Sequence, residues 1–129
     1  MTAANRDRLL LAGVWVASVL YAGSFLSKGW VPHDEGLIAQ SAVRILEGEK
    51  PYRDFDGGYT GALNHLHAGA FRLFGVDLLA PRYALWIFFA AFVPAVFRLA
   101  RRIASPWGAA LLTALATAWS VPNYFASLP

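Results

Sequence analysis

The chain has 129 residues, of which 57% are hydrophobic and 15% are charged, and its formal net charge is +3. This length allows one domain, and so apolar a composition excludes an intrinsically disordered chain. The sequence contains no cysteine, which excludes a disulfide scaffold, a cysteine-ligated zinc site and thiol catalysis. The basic residues do not cluster on a polar surface, so we predict no nucleic-acid partner.

Three blocks, residues 9–27, 83–97 and 103–129, contain no charged side chain. A helix needs about 20 residues to cross the hydrocarbon core of a bilayer. We therefore predict an all-α integral membrane protein with about three transmembrane helices, at about residues 9–27, 78–97 and 103–123. A buried core helix could explain one block, but three blocks leave too little polar chain to cover such a core.

Three features qualify these predicted spans. The second span is long enough only if it begins near Leu78 and Arg82 extends its side chain to the interface. Pro94 lies inside that span and should kink it, and a packed neighbour can satisfy the carbonyl that proline frees. The first span has a weaker alternative explanation as a secretory signal, because Arg6 and Arg8 precede it and Ala22-Gly23-Ser24 resembles a cleavage site. The long apolar run and the two runs that follow it favour a span.

Basic residues predict the orientation of the chain. Arg6 and Arg8 precede the first span, and three arginines lie in the short turn between the second and third spans. Because basic residues favour the cytoplasm, we place the N-terminus inside and residues 28–77 outside a plasma (inner) membrane. Three spans make a poor self-contained bundle, so we expect residues 1–129 to form the incomplete N-terminal part of a larger multi-pass domain.

The large external loop is predicted to carry two amphipathic helices. The first runs from about Asp34 to Glu47, where Gly48 ends it, and the second runs from about Gly61 to Phe74, followed by Gly75. Each helix has one apolar face. The first face comprises Ile38, Ala39, Ala42, Ile45 and Leu46, and the second comprises Leu63, Leu66, Ala70 and Phe74.

Two adjacent carboxylates begin the first of these helices. Asp34 is suited to be the N-cap, since its side chain can accept from the free amides of the first turn. Glu35 falls on the apolar face, where a carboxylate is costly unless it is paired with a cation or a metal. An acidic pair just beyond a membrane span is therefore a candidate site.

The segment between the helices offers weaker candidates. Asp54 and Asp56 form a D-x-D pair that could hold a divalent cation, although two acids in a loop are more often turn residues. An EF-hand is excluded because its required glycine and glutamate positions are Tyr59 and His65. His65 and His67 lie far apart around the second helix, so they cannot ligate one metal together, and each is more often a packed or solvated histidine.

Several motifs together resemble the N-terminal part of the GT-C superfamily, whose members are polyprenyl-phosphate-dependent glycosyltransferases. The similarity is to the bacterial protein mannosyltransferase-like and aminoarabinose transferase-like branches, and it covers nearly the whole chain. The matching segments are His33-Asp34-Glu35-Gly36 after the first span, Glu49-Lys50-Pro51-Tyr52-Arg53-Asp54-Phe55, Phe71-Arg72-Leu73-Phe74-Gly75, and Arg82 at the second span. Relatives often have Pro-Pro or Pro-Gly in place of Thr60-Gly61.

The resemblance implies an enzyme that transfers a sugar from a polyprenyl-phosphate carrier on the non-cytoplasmic face. It assigns to Asp34 the role of the base, or of the residue that orients the acceptor, in an inverting transfer, with Glu35 as its partner. Arg53, Asp54, Asp56 and Tyr59 are the candidates for substrate binding. The implied partners are membrane lipid, the lipid-linked donor and an acceptor that is a protein, a lipid or a glycan. The sequence identifies neither sugar, carrier nor acceptor, and it leaves open whether a divalent cation is used.

Two other classes of protein remain open. A noncatalytic multi-pass membrane protein, such as an assembly subunit or a channel component, predicts that Asp34 caps a helix and that Glu35 pairs with a lysine or arginine. A transporter fragment is a weaker alternative, because it would need charged or broken helices near mid-membrane. On the glycosyltransferase interpretation, the missing later loops would leave this segment inactive by itself.

Overall fold

A computed structural model describes residues 2–29, 32–57 and 60–120. These residues form five α-helices and no named strand, apart from an isolated bridge between Pro51 and Phe55. The all-α class that the sequence predicts is therefore confirmed. The helices are α1 (Ala3–Gly23), α2 (Pro32–Leu46), α3 (Gly61–Phe74), α4 (Leu79–Ala100) and α5 (Pro106–Ser120).

Local sequence explains where these helices begin and end. The Thr2 hydroxyl accepts from the Asn5 amide at 3.3 Å and caps α1. The Ser105 hydroxyl accepts from the Gly108 amide at 3.2 Å, just before the proline that begins α5. Serine before a helix and proline at its first position are both favourable there. Gly48 and Gly75 follow α2 and α3 with φ of 95° and 89°, a conformation that glycine adopts without strain.

The described residues divide into two compact units. The first, which we call the α1–α5 unit, contains residues 2–26 and 86–120 and includes most of α4. The second, the α2–α3 unit, lies within residues 27–85 and ends with the first turns of α4.

The α1–α5 unit buries small and polar side chains between its helices. Ser18 on α1 and Thr117 on α5 are both buried, and their hydroxyl oxygens lie 3.0 Å apart. Thr113 is also buried and donates to the carbonyl of Ala109 at 2.7 Å. Many large apolar side chains of these two helices are exposed instead, among them Leu9, Leu20, Trp107, Leu111, Leu115 and Trp119.

Pro94 is accommodated by a neighbouring side chain. A proline cannot donate to the carbonyl four residues before it, which here belongs to Ala90. The indole Nε1 of Trp15 donates to that carbonyl at 2.7 Å. The expectation that a packed neighbour satisfies the freed group is confirmed, and α4 continues through Pro94 without a break.

One helix in the described part of the chain is long and apolar enough to cross a membrane, namely α4. The three predicted spans are therefore not supported as a set. α1 begins at Ala3 and includes the polar segment Asn5–Arg8, so that only its later residues are apolar. The described part of α5 has 15 residues, and the continuation of the third predicted span lies outside the described residues.

The α2–α3 unit has a core of small residues around one aromatic ring. Ala42 of α2, Ala68 and Phe71 of α3, and Ala80 of α4 are all buried within it. The range predicted for α3 is confirmed, and its predicted apolar face is only partly buried. The helix buries Asn64, His67, Ala68, Ala70 and Phe71, whereas Leu66 and Phe74 are exposed.

Candidate functional site

A buried ion pair joins the first turns of α2 and α4. The guanidinium of Arg82 donates through Nε to Glu35 Oε1 and through Nη2 to Glu35 Oε2, both at 2.8 Å. Each residue is 3% exposed. The parallel pair of charge-assisted bonds is the strong bidentate geometry that arginine makes with a carboxylate. Glu35 thus has the cationic partner that its place on an apolar face requires.

Arg82 also fixes the chain before α2. It donates to the carbonyl of Lys28 at 3.2 Å and to the carbonyl of Gly29 at 2.5 Å. The expectation that Arg82 reaches out to a membrane interface is wrong, because the side chain is buried. Its charge and its donors are used within the α2–α3 unit, where they hold the end of the connecting segment, α2 and α4 together.

Asp34 lies in the first turn of α2 and is partly exposed. It is not the N-cap predicted from the sequence, because the helix begins two residues earlier, at Pro32. A carboxylate in a first turn is still favoured by the helix dipole. The neighbouring Glu35–Arg82 pair anchors this turn, in which the Asp34 side chain is partly exposed.

The structure does not support Asp54 and Asp56 as a cation-binding pair. Asp54 accepts from Nε and Nη2 of Arg53 at 2.8 and 2.7 Å and from the Lys50 amide at 2.8 Å. The hydrogen bonds from Arg53, together with that of the Lys50 amide, lower the pKa of Asp54 to about 2. Asp56 is exposed. Asp54 is therefore engaged as a turn residue.

The other predicted site residues belong to the segment between α2 and α3. Residues 50–56 form their own turn, in which Tyr52 has a positive φ of 63° and donates its amide to the Phe55 carbonyl at 2.9 Å. Tyr59 lies outside the described residues. Within the described ranges, no group of three or more histidine and acidic side chains is arranged to hold a metal.

Arg44 organises this turn, a role that the sequence analysis missed. Its guanidinium pairs with Glu49, donates to the Asp54 carbonyl at 3.1 Å and lies 4.5 Å from the centroid of the Phe55 ring. Such cation–π contacts add to the ion pair. The sequence offered a weak signal, namely an arginine at the end of α2 followed by an acidic and aromatic turn.

The polar face of α3 is a second feature that the sequence did not reveal. Asn64 and His67 are 1% and 3% exposed. Asn64 Nδ2 and His67 Nδ1 have no hydrogen-bond partner among the described residues. Burial lowers the pKa of His67, because the protonated ring loses hydration. His65 is exposed, whereas His67 is buried, so the two histidines lie on different sides of α3, as the helix geometry predicts.

The candidate site is thus the first turn of α2, in which Asp34 is partly exposed and Glu35 is paired with Arg82. The resemblance to glycosyltransferases depends on the same segment. No family model, no curated protein and no solved structure matches this chain. The sequence motifs and the geometry of the described residues are therefore the basis of the functional proposal.

Proposed function

We propose that this chain belongs to a membrane-bound glycosyltransferase that moves a sugar from a polyprenyl-phosphate carrier to an acceptor outside the cytoplasm. The observation that carries the proposal is the partly exposed Asp34 side chain in the first turn of α2, next to Glu35, whose buried ion pair with Arg82 joins α2 to the start of α4. The sugar, the carrier and the acceptor are not specified by this site.

A membrane location is supported by how the helices bury their side chains. Only 17% of the most apolar 18-residue stretch of α4 is buried, so this helix does not resemble the core helix of a water-soluble protein. Small and hydroxyl-bearing residues mediate helix contacts in membranes, while large apolar residues face lipid. The α1–α5 unit has this arrangement. Two further spans, formed by α1 and α5, remain part of the proposal.

The proposed chemistry needs one carboxylate. Asp34 accepts the proton of the acceptor nucleophile as that atom bonds to the anomeric carbon of the sugar. The bond from the same carbon to the carrier phosphate oxygen breaks, and the bonding electrons leave with the phosphate. Attack opposite the leaving group inverts the anomeric carbon. The phosphate is a weak base, so the leaving oxygen requires no general acid.

Glu35 has a different role from the one that the resemblance suggests. Both of its oxygens accept from Arg82, and its side chain is buried. We therefore propose that Glu35 positions the first turn of α2 and does not contact the reacting atoms. Arg53 remains a candidate for the carrier phosphate, although the phosphate would have to compete with Asp54 for the guanidinium.

The test is Asp34→Asn, expressed from the complete gene and assayed in membranes with polyprenyl-phosphate mannose and polyprenyl-phosphate aminoarabinose. Removing the proton acceptor should reduce transfer by a factor of about 100 or more. The matched control is Glu47→Gln, an exposed carboxylate at the other end of α2, which should retain activity. Normal turnover by a folded Asp34→Asn protein would contradict the proposal.

A noncatalytic membrane protein is the second candidate, and one observation favours it. That class predicts that Glu35 pairs with a basic residue, and Arg82 is such a partner. It does not predict any dependence of sugar transfer on Asp34. The Asp34→Asn assay therefore separates the two functions.

A further inference from the structure

A groove of about 300 Å³ lies between α1 and α4 within the α1–α5 unit. Its apolar walls are Leu11, Ala12 and Trp15 on α1 and Pro94 on α4, and Arg8 also lines it. The three apolar residues of α1 follow Arg8 at spacings of three, four and seven, so all of them lie on one face of the helix. The groove is therefore apolar along most of its length and cationic where Arg8 lines it.

Two contacts show how the helices that form the groove are oriented. Asp7 near the start of α1 pairs with Arg101, just after α4, at 3.0 Å. Trp15, further along α1, donates to the carbonyl of Ala90, which lies earlier in α4, at 2.7 Å. The two helices therefore run antiparallel, and the start of α1 lies at the same end of the unit as the end of α4.

This end of the groove has a second cation. Arg98 follows Pro94 by four residues, so it lies one turn nearer to the end of α4 and on nearly the same side of that helix. Arg8 and Arg98 are both exposed, and neither has an ion-pair partner in the part of the chain that the structure describes. Asp7 is already engaged by Arg101. The charges of Arg8 and Arg98 thus remain for an anion from outside the chain.

The charge of the α1–α5 unit favours an anionic occupant. Its described residues include five arginines and one aspartate, all within residues 6–8 and 98–102, which gives a net charge of +4 at this end. Basic pockets between membrane helices on the cytoplasmic side bind anionic lipid headgroups. Arginine in particular pairs with a phosphate through two parallel hydrogen bonds. A phosphate at this end and an acyl chain along the groove therefore match both parts of the site.

We propose that the groove holds one anionic phospholipid, whose acyl chain lies against Leu11, Ala12 and Trp15 and whose phosphate pairs with Arg8 and Arg98. The inference rests on the membrane location proposed for the α1–α5 unit and is independent of sugar transfer. The lipid covers the Trp15 ring, which is 38% exposed, and so supports the contact that this ring makes with α4.

Native mass spectrometry of the 129-residue protein, released from detergent micelles, tests this selectivity. The delipidated protein is incubated with dioleoyl phosphatidylglycerol, with dioleoyl phosphatidylcholine or with glycerol 3-phosphate. These probes separate the need for an anionic headgroup from the need for acyl chains. We expect one phosphatidylglycerol to bind about tenfold more tightly than phosphatidylcholine, and glycerol 3-phosphate not to bind.

Substitutions test the two parts of the site separately. Arg8→Gln and Arg98→Gln should each weaken phosphatidylglycerol binding about fivefold, because each removes one cation from the phosphate. The matched control is Arg6→Gln, which removes an exposed arginine on another side of α1 and should have little effect. Ala12→Phe fills the groove and should abolish the selectivity. Val16→Phe adds an aromatic ring at an exposed position outside the groove and should preserve it.

Equal affinity for the two phospholipids would overturn the inference, as would unchanged selectivity in Ala12→Phe. Equal losses in Arg6→Gln and Arg8→Gln would also overturn it, since diffuse attraction would then explain the binding. Glycerol 3-phosphate that binds as tightly as phosphatidylglycerol would contradict a role for the acyl chain. Flotation of the parent protein with phosphatidylcholine vesicles tests the membrane location separately, and protein left in the aqueous phase would contradict that location itself.

Discussion

Removing the partner of a buried charge should strongly destabilise the α2–α3 unit. Glu35→Gln preserves the shape of the side chain but leaves the Arg82 guanidinium without a counter-charge, and both side chains are less than 5% exposed. Two unit charges about 4 Å apart attract by about 4 kcal/mol at an effective dielectric constant of 20. Loss of one partner of a buried pair costs about 3–5 kcal/mol. We expect Glu35→Gln to lower the free energy of unfolding by about 3–5 kcal/mol.

The assay is reversible denaturation in detergent micelles, followed by tryptophan fluorescence. Glu49→Gln is the matched control, because it removes the partner of Arg44 in a pair whose side chains are 37% and 36% exposed. Exposed pairs contribute about 0–1 kcal/mol, so this control should differ little from the parent protein.

A double variant separates the effect of an unpaired charge from a loss of packing. Glu35→Leu with Arg82→Met removes both charges, and such replacements are often tolerated. The carbonyls of Lys28 and Gly29 would lose the hydrogen bonds that Arg82 donates, and each loss should lower the free energy of unfolding by about 1 kcal/mol. The double variant should still be more stable than Glu35→Gln. A Glu35→Gln protein as stable as the Glu49→Gln control would refute the reasoning.

Two titrations test other contacts. The folded pKa of Asp54 is lowered to about 2 by Arg53 and the Lys50 amide, so its stabilising contacts are complete above its ordinary pKa of 3.8 and are lost as the pH falls towards 2. Its carboxyl carbon resonance should titrate near pH 2, and Arg53→Gln should raise that midpoint; an unchanged midpoint would contradict the ion pair. Burial also lowers the pKa of His67, so the unfolded chain takes up a proton more readily, and stability should fall as the pH drops below about 6.5. Denaturation at pH 8 and at pH 5 measures how much the free energy of unfolding falls between the two. His67→Phe should reduce this fall, whereas His65→Gln, at an exposed position, should not. The same fall in both variants and in the parent protein would exclude His67 as the cause.

The sequence predicted the ends of helices where the residue at the end itself stops the helix. Gly48 and Gly75 stop α2 and α3 as expected, since each adopts a positive φ just after its helix. The start of α2 was misplaced because Asp34 is a good N-cap, while Pro32 is equally suited to the first helical position. Both residues fit a helix start, so the sequence alone did not choose between them.

Contacts between distant residues could not be read from spacing. Glu35 and Arg82 are 47 positions apart, and each was recognised separately as a charge in an apolar setting. The sequence also did not reveal which side of α3 is buried. Spacing shows which residues share a face of the helix, whereas the burial of Asn64 and the exposure of Leu73 depend on contacts with other elements.

The hydrogen bond from the Trp15 indole to the Ala90 carbonyl makes the residue at position 15 depend on the residue at position 94. An alanine at position 94 would supply a backbone amide to the Ala90 carbonyl, and the indole would then compete for an acceptor that it now holds. A phenylalanine at position 15 would leave that carbonyl without a donor as long as Pro94 is present. We therefore expect covariation in homologous chains, in which a hydrogen-bond donor at 15 accompanies proline at 94, and a purely apolar residue at 15 accompanies its replacement.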